Sequence, residues 1–262
     1  SMDGALRGQK QVEIIIADGG STDGQTLKYY DILRRNGAAK VFCGKGMPMP
    51  ALLNAAAKEA DRENCLFMDS NVETLGISWL YDMLSQSERR GCGGVGPKLI
   101  GQDGRLVYTG ITIGIGGWQG SPYAGTPDDR ESGQKLRFTG TLRTVSALSW
   151  VCMMTPMDLF FNAGCFDESF NETGFDTEYC TRLDRRGYSL IYAPNVVMKY
   201  HGRIQKVEDA DGQDRMRYYD TVRDTLIRGD PRYNNNFDYA LPSPRIAVRP
   251  RPAADLNELY RK

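Results

Sequence analysis

Three aspartates stand where the chain changes direction. Asp18 closes the β-branched run Val12-Glu13-Ile14-Ile15-Ile16-Ala17 and is followed by Gly19-Gly20-Ser21. Asp69 closes Cys65-Leu66-Phe67-Met68 and is followed by Ser70-Asn71. Asp176 comes after Gly174-Phe175 and just before a helix-forming stretch, Thr177 to Arg186. Carboxylates so placed can hold a divalent cation, take a proton from a hydroxyl, or accept hydrogen bonds from a ligand. Alternate residues of an extended strand point the same way, so Asp69 and Asn71 can reach one cation, Asn71 with a neutral oxygen only. His201, the one histidine of the chain, follows the run Val196 to Tyr200 and offers a third ligand. Each position also has a plainer reading. Asp18-Gly-Gly and Asp69-Ser-Asn are good turns, Asp176 is a good helix N-cap, and a lone histidine is often structural.

The elements that must position these residues alternate. Strand-like runs at 12–17, 40–43, 65–68 and 94–100 are separated by helix-forming stretches at 26–35, 50–60 and 78–89. Such alternation predicts a parallel sheet covered by helices, with ligands beyond the carboxyl ends of its strands, where Asp18 and Asp69 stand. Residues 101–140 are glycine-rich and polar and read as hairpins with a mobile loop; Trp118 lies within it. Val145 to Met154 is strand-like, a helix begins near Pro156, and two short strands are expected at 189–193 and 196–200. The charged and then proline-rich stretch 205–262 predicts an extended surface tail, with no second core. The expected organisation is therefore a tag remnant or linker at 1–11, one half at 12–100, a second at 101–204, and the tail.

Bulk composition narrows the partners. With 33 basic and 33 acidic side chains in 262 residues, nothing in the net charge favours nucleic acid or an anionic membrane. No apolar run approaches the roughly 20 residues of a membrane span. Six cysteines without a CxxC pair read as reduced thiols in a cytoplasmic protein.

The order of several short motifs resembles the GT-A glycosyltransferases of family 2. Ile14 to Gly24, containing Ala17-Asp18-Gly19-Gly20-Ser21-Thr22-Asp23, is similar to the family's "D-G-S-T-D" loop, and Leu66-Phe67-Met68-Asp69-Ser70-Asn71-Val72-Glu73 to its metal-binding segment. Val95-Gly96-Pro97-Lys98-Leu99 with Asp103-Gly104, Phe166-Asp167-Glu168, Phe175-Asp176-Thr177-Glu178 through Leu183, Gly187-Tyr188, Ala193-Pro194 and Tyr200-His201 follow in order. Asp230-Pro231-Arg232-Tyr233-Asn234 resembles a tail of bacterial multidomain members linked to surface polysaccharide assembly. The match covers about Val12 to Asn236. It departs at Asn71, which replaces an aspartate, and at the start, where the family's first strand and helix are absent.

The resemblance implies an α/β GT-A fold, N-terminally truncated, with a mixed, mostly parallel sheet and helices on both faces. It implies an inverting transfer of sugar from a nucleotide-diphosphate donor to a hydroxyl of a glycan or lipid-linked acceptor, assisted by Mn2+ or Mg2+. Asp176 would be the base. Asp18, Gly20, Asn54 and Asp69 would bind the nucleotide, Asp69, Asn71 and His201 the cation, and Trp118, Phe175 and Glu178 the acceptor. Other domains of a longer polypeptide and a place at the inner face of the membrane are further expectations. Two other classes compete: a non-catalytic glycan-binding or scaffolding module, and, fitting less well, a nucleotidyltransferase, which would carry a basic glycine-rich loop after its first strand where this sequence shows none.

Overall fold

The computed structural model describes residues 12–128, 138–234 and 236–246. The expected linker at 1–11, Gly133 and most of the proline-rich end lie outside the described residues.

β1 (Ile15–Asp18) pairs in parallel with β2 (Lys40–Cys43), from Ile15 opposite Lys40 to Asp18 opposite Cys43. The crossover is α1 (Gly24–Arg35), started by Asp23, whose carboxylate accepts from the Thr26 amide at 2.8 Å, and closed by Arg34 and Arg35 against its negative end. α2 (Met49–Lys58) follows, with Pro50 in its first turn, where a missing N–H costs nothing.

A seven-stranded mixed sheet forms the centre, in the order β3 (Asn64–Met68), β10 (Cys152–Pro156), β5 (Cys92–Ile100), β11 (Ser189–Tyr200), β4 (Val72–Thr74). β6 (Leu106–Tyr108) joins β5 and β9 (Arg143–Val145) joins β11. β5 and β11 are parallel, and β3 runs in their sense because both β3 and β5 are antiparallel to β10. β3, β4 and β5 of 12–100 and β6, β9, β10 and β11 of 101–204 thus share one sheet, while β1 and β2 pair apart from it. A hairpin, β7 (Thr112–Ile113) with β8 (Gln119–Gly120), carries the glycine-rich segment.

α3 (Trp79–Ser87) packs on β5, β10 and β11, and α5 (Phe175–Arg185) on β5 and β11. Close approach is bought by glycines in β5: a Cβ at Gly93 would meet Tyr188 at 2.9 Å, and one at Gly96 would meet Leu148 at 2.9 Å. α4 (Met157–Asn162) supplies Phe160 to an aromatic cluster with Phe67, Phe166 and Tyr179, ring centroids 4.8–5.4 Å apart.

Two expectations change. The strands at 189–193 and 196–200 are one bent strand, whose register with β5 shifts between Ala193 and Val197; Pro194 has no N–H for a ladder there. The stretch after 205 is not simply an extended tail. It contains α6 (Gly212–Arg228), which buries Tyr218, Tyr219, Val222 and Leu226 against α5. Tyr218, Val222 and Leu226 recur every four residues and make one apolar stripe within a highly charged sequence. Beyond α6, Tyr233 and Tyr239 form a small second core with Ile115 of the glycine-rich segment.

Candidate functional site

Asp18 ends β1 and is 7% exposed. Its carboxylate accepts from the Ser21 amide at 3.1 Å and the Ser21 hydroxyl at 2.5 Å, and the Ser21 hydroxyl above all holds the carboxyl below the usual range. The turn depends on Gly20, whose φ of 118° is closed to side chains; a Cβ would also meet Lys45 Cγ at 2.9 Å. The Gly44 amide donates to the Asp18 carbonyl, so the ends of β1 and β2 form one rim.

Asp69 ends β3. Its Oδ1 accepts from the Asn71 amide at 2.7 Å and from Asn71 Nδ2 at 2.8 Å. The pairing of β4 with β11 then brings in His201, whose amide donates to the Asn71 carbonyl at 2.9 Å. Asp69, Asn71 and His201 therefore surround one strand end. The imidazole is engaged, Nε2 with Glu73 at 2.8 Å and Nδ1 with Gln102 at 2.5 Å. Burial, reinforced by the nearby Asp69 charge, pushes the Tyr200 phenol up to about 12.

Asp176 is the second residue of α5 and 6% exposed. Gly174 occupies the N-cap position, so Asp176 is not the cap residue. Its Oδ2 accepts from the Trp150 amide at 3.1 Å and its Oδ1 from the Thr177 amide at 2.8 Å. Burial outweighs these bonds and raises the carboxyl above its ordinary pKa.

Main-chain bonds join the three rims. The Asp69 amide donates to the Val151 carbonyl at 2.9 Å, while the amide of the preceding Trp150 donates to Asp176. Asp69 and Asp176 thus meet consecutive residues of one turn. Lys45, which touches Gly20, lies in the loop entering α2, and the Met49 amide donates to Asn171 O, three residues before Gly174. The β7–β8 hairpin lies beside the start of α5: the Thr177 hydroxyl donates to Gln119 Oε1 at 2.7 Å. Trp118 is fixed by Tyr218, whose hydroxyl donates to the Trp118 carbonyl at 2.9 Å.

Other expected site residues sit elsewhere. Phe175 is fully buried, 5.0 Å from the Phe166 ring and stacked near Trp150, so it belongs to the core and cannot face an acceptor. The first turn of α5 directs it inward while Asp176, one residue on, turns to the rim. Glu178 lies two residues past Asp176 and does not share its face. It accepts from Arg182 Nε at 2.6 Å and Nη2 at 2.7 Å, and Arg182 also binds the carbonyls of Ala163 and Cys165, so Glu178 anchors a loop. Asn54 is 2% exposed, and both ends of its amide bind the Phe166 main chain, at 2.8 and 3.0 Å. A cavity of about 540 Å3 is lined by Asn54, Lys58, Glu168, Glu178 and Arg182; none of the three aspartates lines it. Missing from the sequence reading were Trp150 and Val151, Gln119, and two buried carboxylates, Asp214 and Asp230. The last accepts from the Ile113 amide at 2.7 Å and the Ser146 hydroxyl at 2.5 Å, tying the hairpin to the chain after α6. The Asp-Pro-Arg-Tyr-Asn motif was the signal for Asp230.

No protein-family profile matches the chain. Among solved structures it is similar to GalNAc-T7 with UDP, GalNAc and Mn2+, with a TM-score of 0.60 at 15% identity over 80% of this chain and 41% of that one. It is similar to the mannosyltransferase PcManGT of Pyrobaculum calidifontis with GDP-Man and Mn2+, TM-score 0.52, 15% identity, 84% and 56% covered. S. aureus TarS gives a TM-score of 0.52 at 16% identity, 87% and 40% covered. The fold is that of GT-A glycosyltransferases. In sequence the chain is 28% identical over 224 residues to the O-antigen biosynthesis protein RfbC of Myxococcus xanthus. It is 27% identical over 254 residues to the uncharacterized protein y4gI of Sinorhizobium fredii (strain NBRC 101917 / NGR234). It spans 18% of the first relative's length and 27% of the second's. Among the described residues no helix is long and apolar enough to cross a membrane.

The cation ligands implied by this fold can be tested against the side chains. Among the described residues no three His, Cys, Asp or Glu side chains form a metal-holding group. Asp69 and His201 supply two such donors and Asn71 a neutral oxygen. Such a set is too sparse to hold a cation by itself; it could do so only where substrate phosphates and water complete the shell.

Proposed function

We propose that this domain transfers a sugar, with inversion, from a nucleoside-diphosphate donor to a hydroxyl of a glycan or lipid-linked glycan acceptor. The observation that carries the reading is the turn at Trp150–Val151, which places one aspartate of a strand end beside one of a helix start. The mannosyltransferase with GDP-Man and Mn2+, and the O-antigen biosynthesis relative, support the class of donor and product.

In this reading Asp18 and Gly20 receive the nucleoside, Asp18 as hydrogen-bond acceptor and Gly20 by letting main chain approach. Asp69 faces the diphosphate. Asp69, Asn71 and His201 would hold a divalent cation, His201 on giving up Gln102; bound there, it neutralises charge growing on the leaving diphosphate. Asp176 takes the proton of the acceptor hydroxyl as the acceptor oxygen bonds to the anomeric carbon and the bond from that carbon to the diphosphate breaks. A carboxylate raised by burial is a stronger base than an exposed one. Trp118, whose neighbour Gln119 bonds Thr177 at the start of α5, would supply a flat apolar face on which a sugar ring can lie.

The test pairs binding with turnover. Asp176→Asn should keep binding of UDP, GDP or dTDP with Mn2+, measured by calorimetry, and lose nucleotide release from the matching sugar donor. Undiminished turnover removes Asp176 from the mechanism. Asn71 and the engaged imidazole favour a second reading, a non-catalytic module derived from the same fold. No heat with any of the three nucleotides would select it.

A further inference from the structure

Three residues, Asn171 to Thr173, lead directly into Gly174 and α5. Their successive amides all donate to one buried carboxylate, that of Asp214. Asn171 N lies 2.9 Å from Oδ1, and Glu172 N and Thr173 N lie 2.9 and 3.1 Å from Oδ2. Asp214 is 1% exposed. It does not cap its own helix; Asp211 does, accepting from the Asp214 amide at 2.8 Å. On its other side the same loop accepts from the Met49 amide, the first residue of α2. The step from loop to helix is equally constrained. Gly174 has φ 92°, and a Cβ there would meet the Tyr218 ring, also on α6, at 3.2 Å.

We propose that Asp214 is a positioning residue for Asp176: it holds the 171–173 loop so that the first turn of α5 presents its carboxylate to the Trp150 amide. The inference rests on Asp176 being the base. A carboxylate suits the task because its two oxygens accept three donors, where an amide offers one oxygen and turns an N–H2 toward the other donors. The loop also touches α2, whose entry loop carries Lys45 against Gly20. Asp214 therefore fixes a segment that contacts both α2, beside the Asp18–Gly20 rim, and the start of α5. A purely structural role would lower stability and leave the folded molecule's chemistry unchanged.

Asp214→Asn is the test, with circular dichroism as the control for folding. Amide hydrogen exchange is read at Trp150 and Thr177, the two donors to Asp176. Turnover is read with UDP-, GDP- and dTDP-sugars and Mn2+. Exchange at both amides should rise relative to the core strands. Turnover per folded molecule should fall about 10²-fold, with the donor KM within about threefold of wild type. If the variant does not fold, Asp214→Glu keeps the charge and displaces the oxygens by one methylene, and the same split should appear in smaller size. Unchanged exchange at Trp150 and Thr177, or unchanged turnover, overturns the proposal. Turnover retained in Asp176→Asn would instead remove the base assignment, and the exchange measurement would still report on the loop.

Discussion

Replacing Asp176 by asparagine should change the pH dependence of stability in a direction set by burial. The carboxyl is pushed above its ordinary value of 3.8 because desolvation outweighs the bonds from Trp150, Thr177 and Ser149. An acid with a raised folded pKa binds its proton more tightly in the folded state. Its stabilising contribution is complete below the unfolded pKa and is lost as pH rises through the folded one. Above that point the ionised group opposes folding by about 1.4 kcal/mol for each pH unit of elevation. Asparagine does not titrate. It keeps one acceptor for the two main-chain donors, a pH-independent cost of about 1–3 kcal/mol for the donor left over. The difference, wild type minus Asp176→Asn, should therefore be most favourable to wild type in acid and decline toward neutrality. The carboxyls held low by hydrogen bonds, Glu13, Asp18, Asp23, Glu73 and Asp211, act in the opposite direction but are common to both proteins and cancel. Urea midpoints of the two proteins, measured side by side from about pH 4 to about pH 8, give this difference directly. A flat or rising difference would show that Asp176 is not raised, and the argument for a strengthened base would go with it.

Asn54→Ala removes both bonds to the Phe166 main chain and should cost about 1–3 kcal/mol for each group left unpaired, with nucleotide affinity unchanged by calorimetry. A loss of affinity at unchanged stability would return Asn54 to the nucleotide site. Arg182→Met leaves the Glu178 carboxylate, with a side chain 12% exposed, unpaired and should cost about 3–5 kcal/mol in a denaturant titration; adding Glu178→Met should recover part of it. Gly20→Ala forces a side chain to φ 118° against Lys45, and should weaken nucleotide binding by about tenfold and lower the melting temperature by a few degrees. Trp118→Ala should spare nucleotide binding and slow transfer to acceptor; equal transfer by the variant would show that the ring takes no part.

Much of the fold was readable because its signals are local. The runs ending at Asp18, Cys43 and Met68 were found as strands within a few residues, and Gly174 and Gly187 bracket α5 as glycine at helix ends would predict. The helix at 212–228 was obscured because its apolar stripe, Tyr218, Val222 and Leu226, is diluted by seven charged residues, so composition outweighed periodicity. The site was legible only in its aspartates. Whether Phe175 or Asp176 faces the rim is a matter of helix phase, and the phase is set by the Phe166 and Trp150 rings, which lie outside the helix. Asn54 and Glu178 show a related ambiguity. A polar residue that satisfies a buried loop and one that binds a ligand have the same sequence signature, and only the partner at Phe166 or Arg182 separates them.

The spacing between Asp69 and Asp176 is a consequence of strand register. Met68 faces Cys152 in the antiparallel pair of β3 and β10, so Asp69, one residue on, meets Val151, and Trp150 is next in line for Asp176. A slip of one residue would carry Asp69 past this turn and move every side chain of the strand to the opposite face. Cys152, Met153, Met154 and Thr155 are all buried, so both faces of β10 resist such a slip, and Met154 is held again by Val95 of β5. The acids therefore need no bond to one another to keep their places. Their relation is fixed by apolar packing in the middle of the sheet, where exchanging a buried methionine of β10 for a polar residue should disturb the rim as surely as a change at the rim itself.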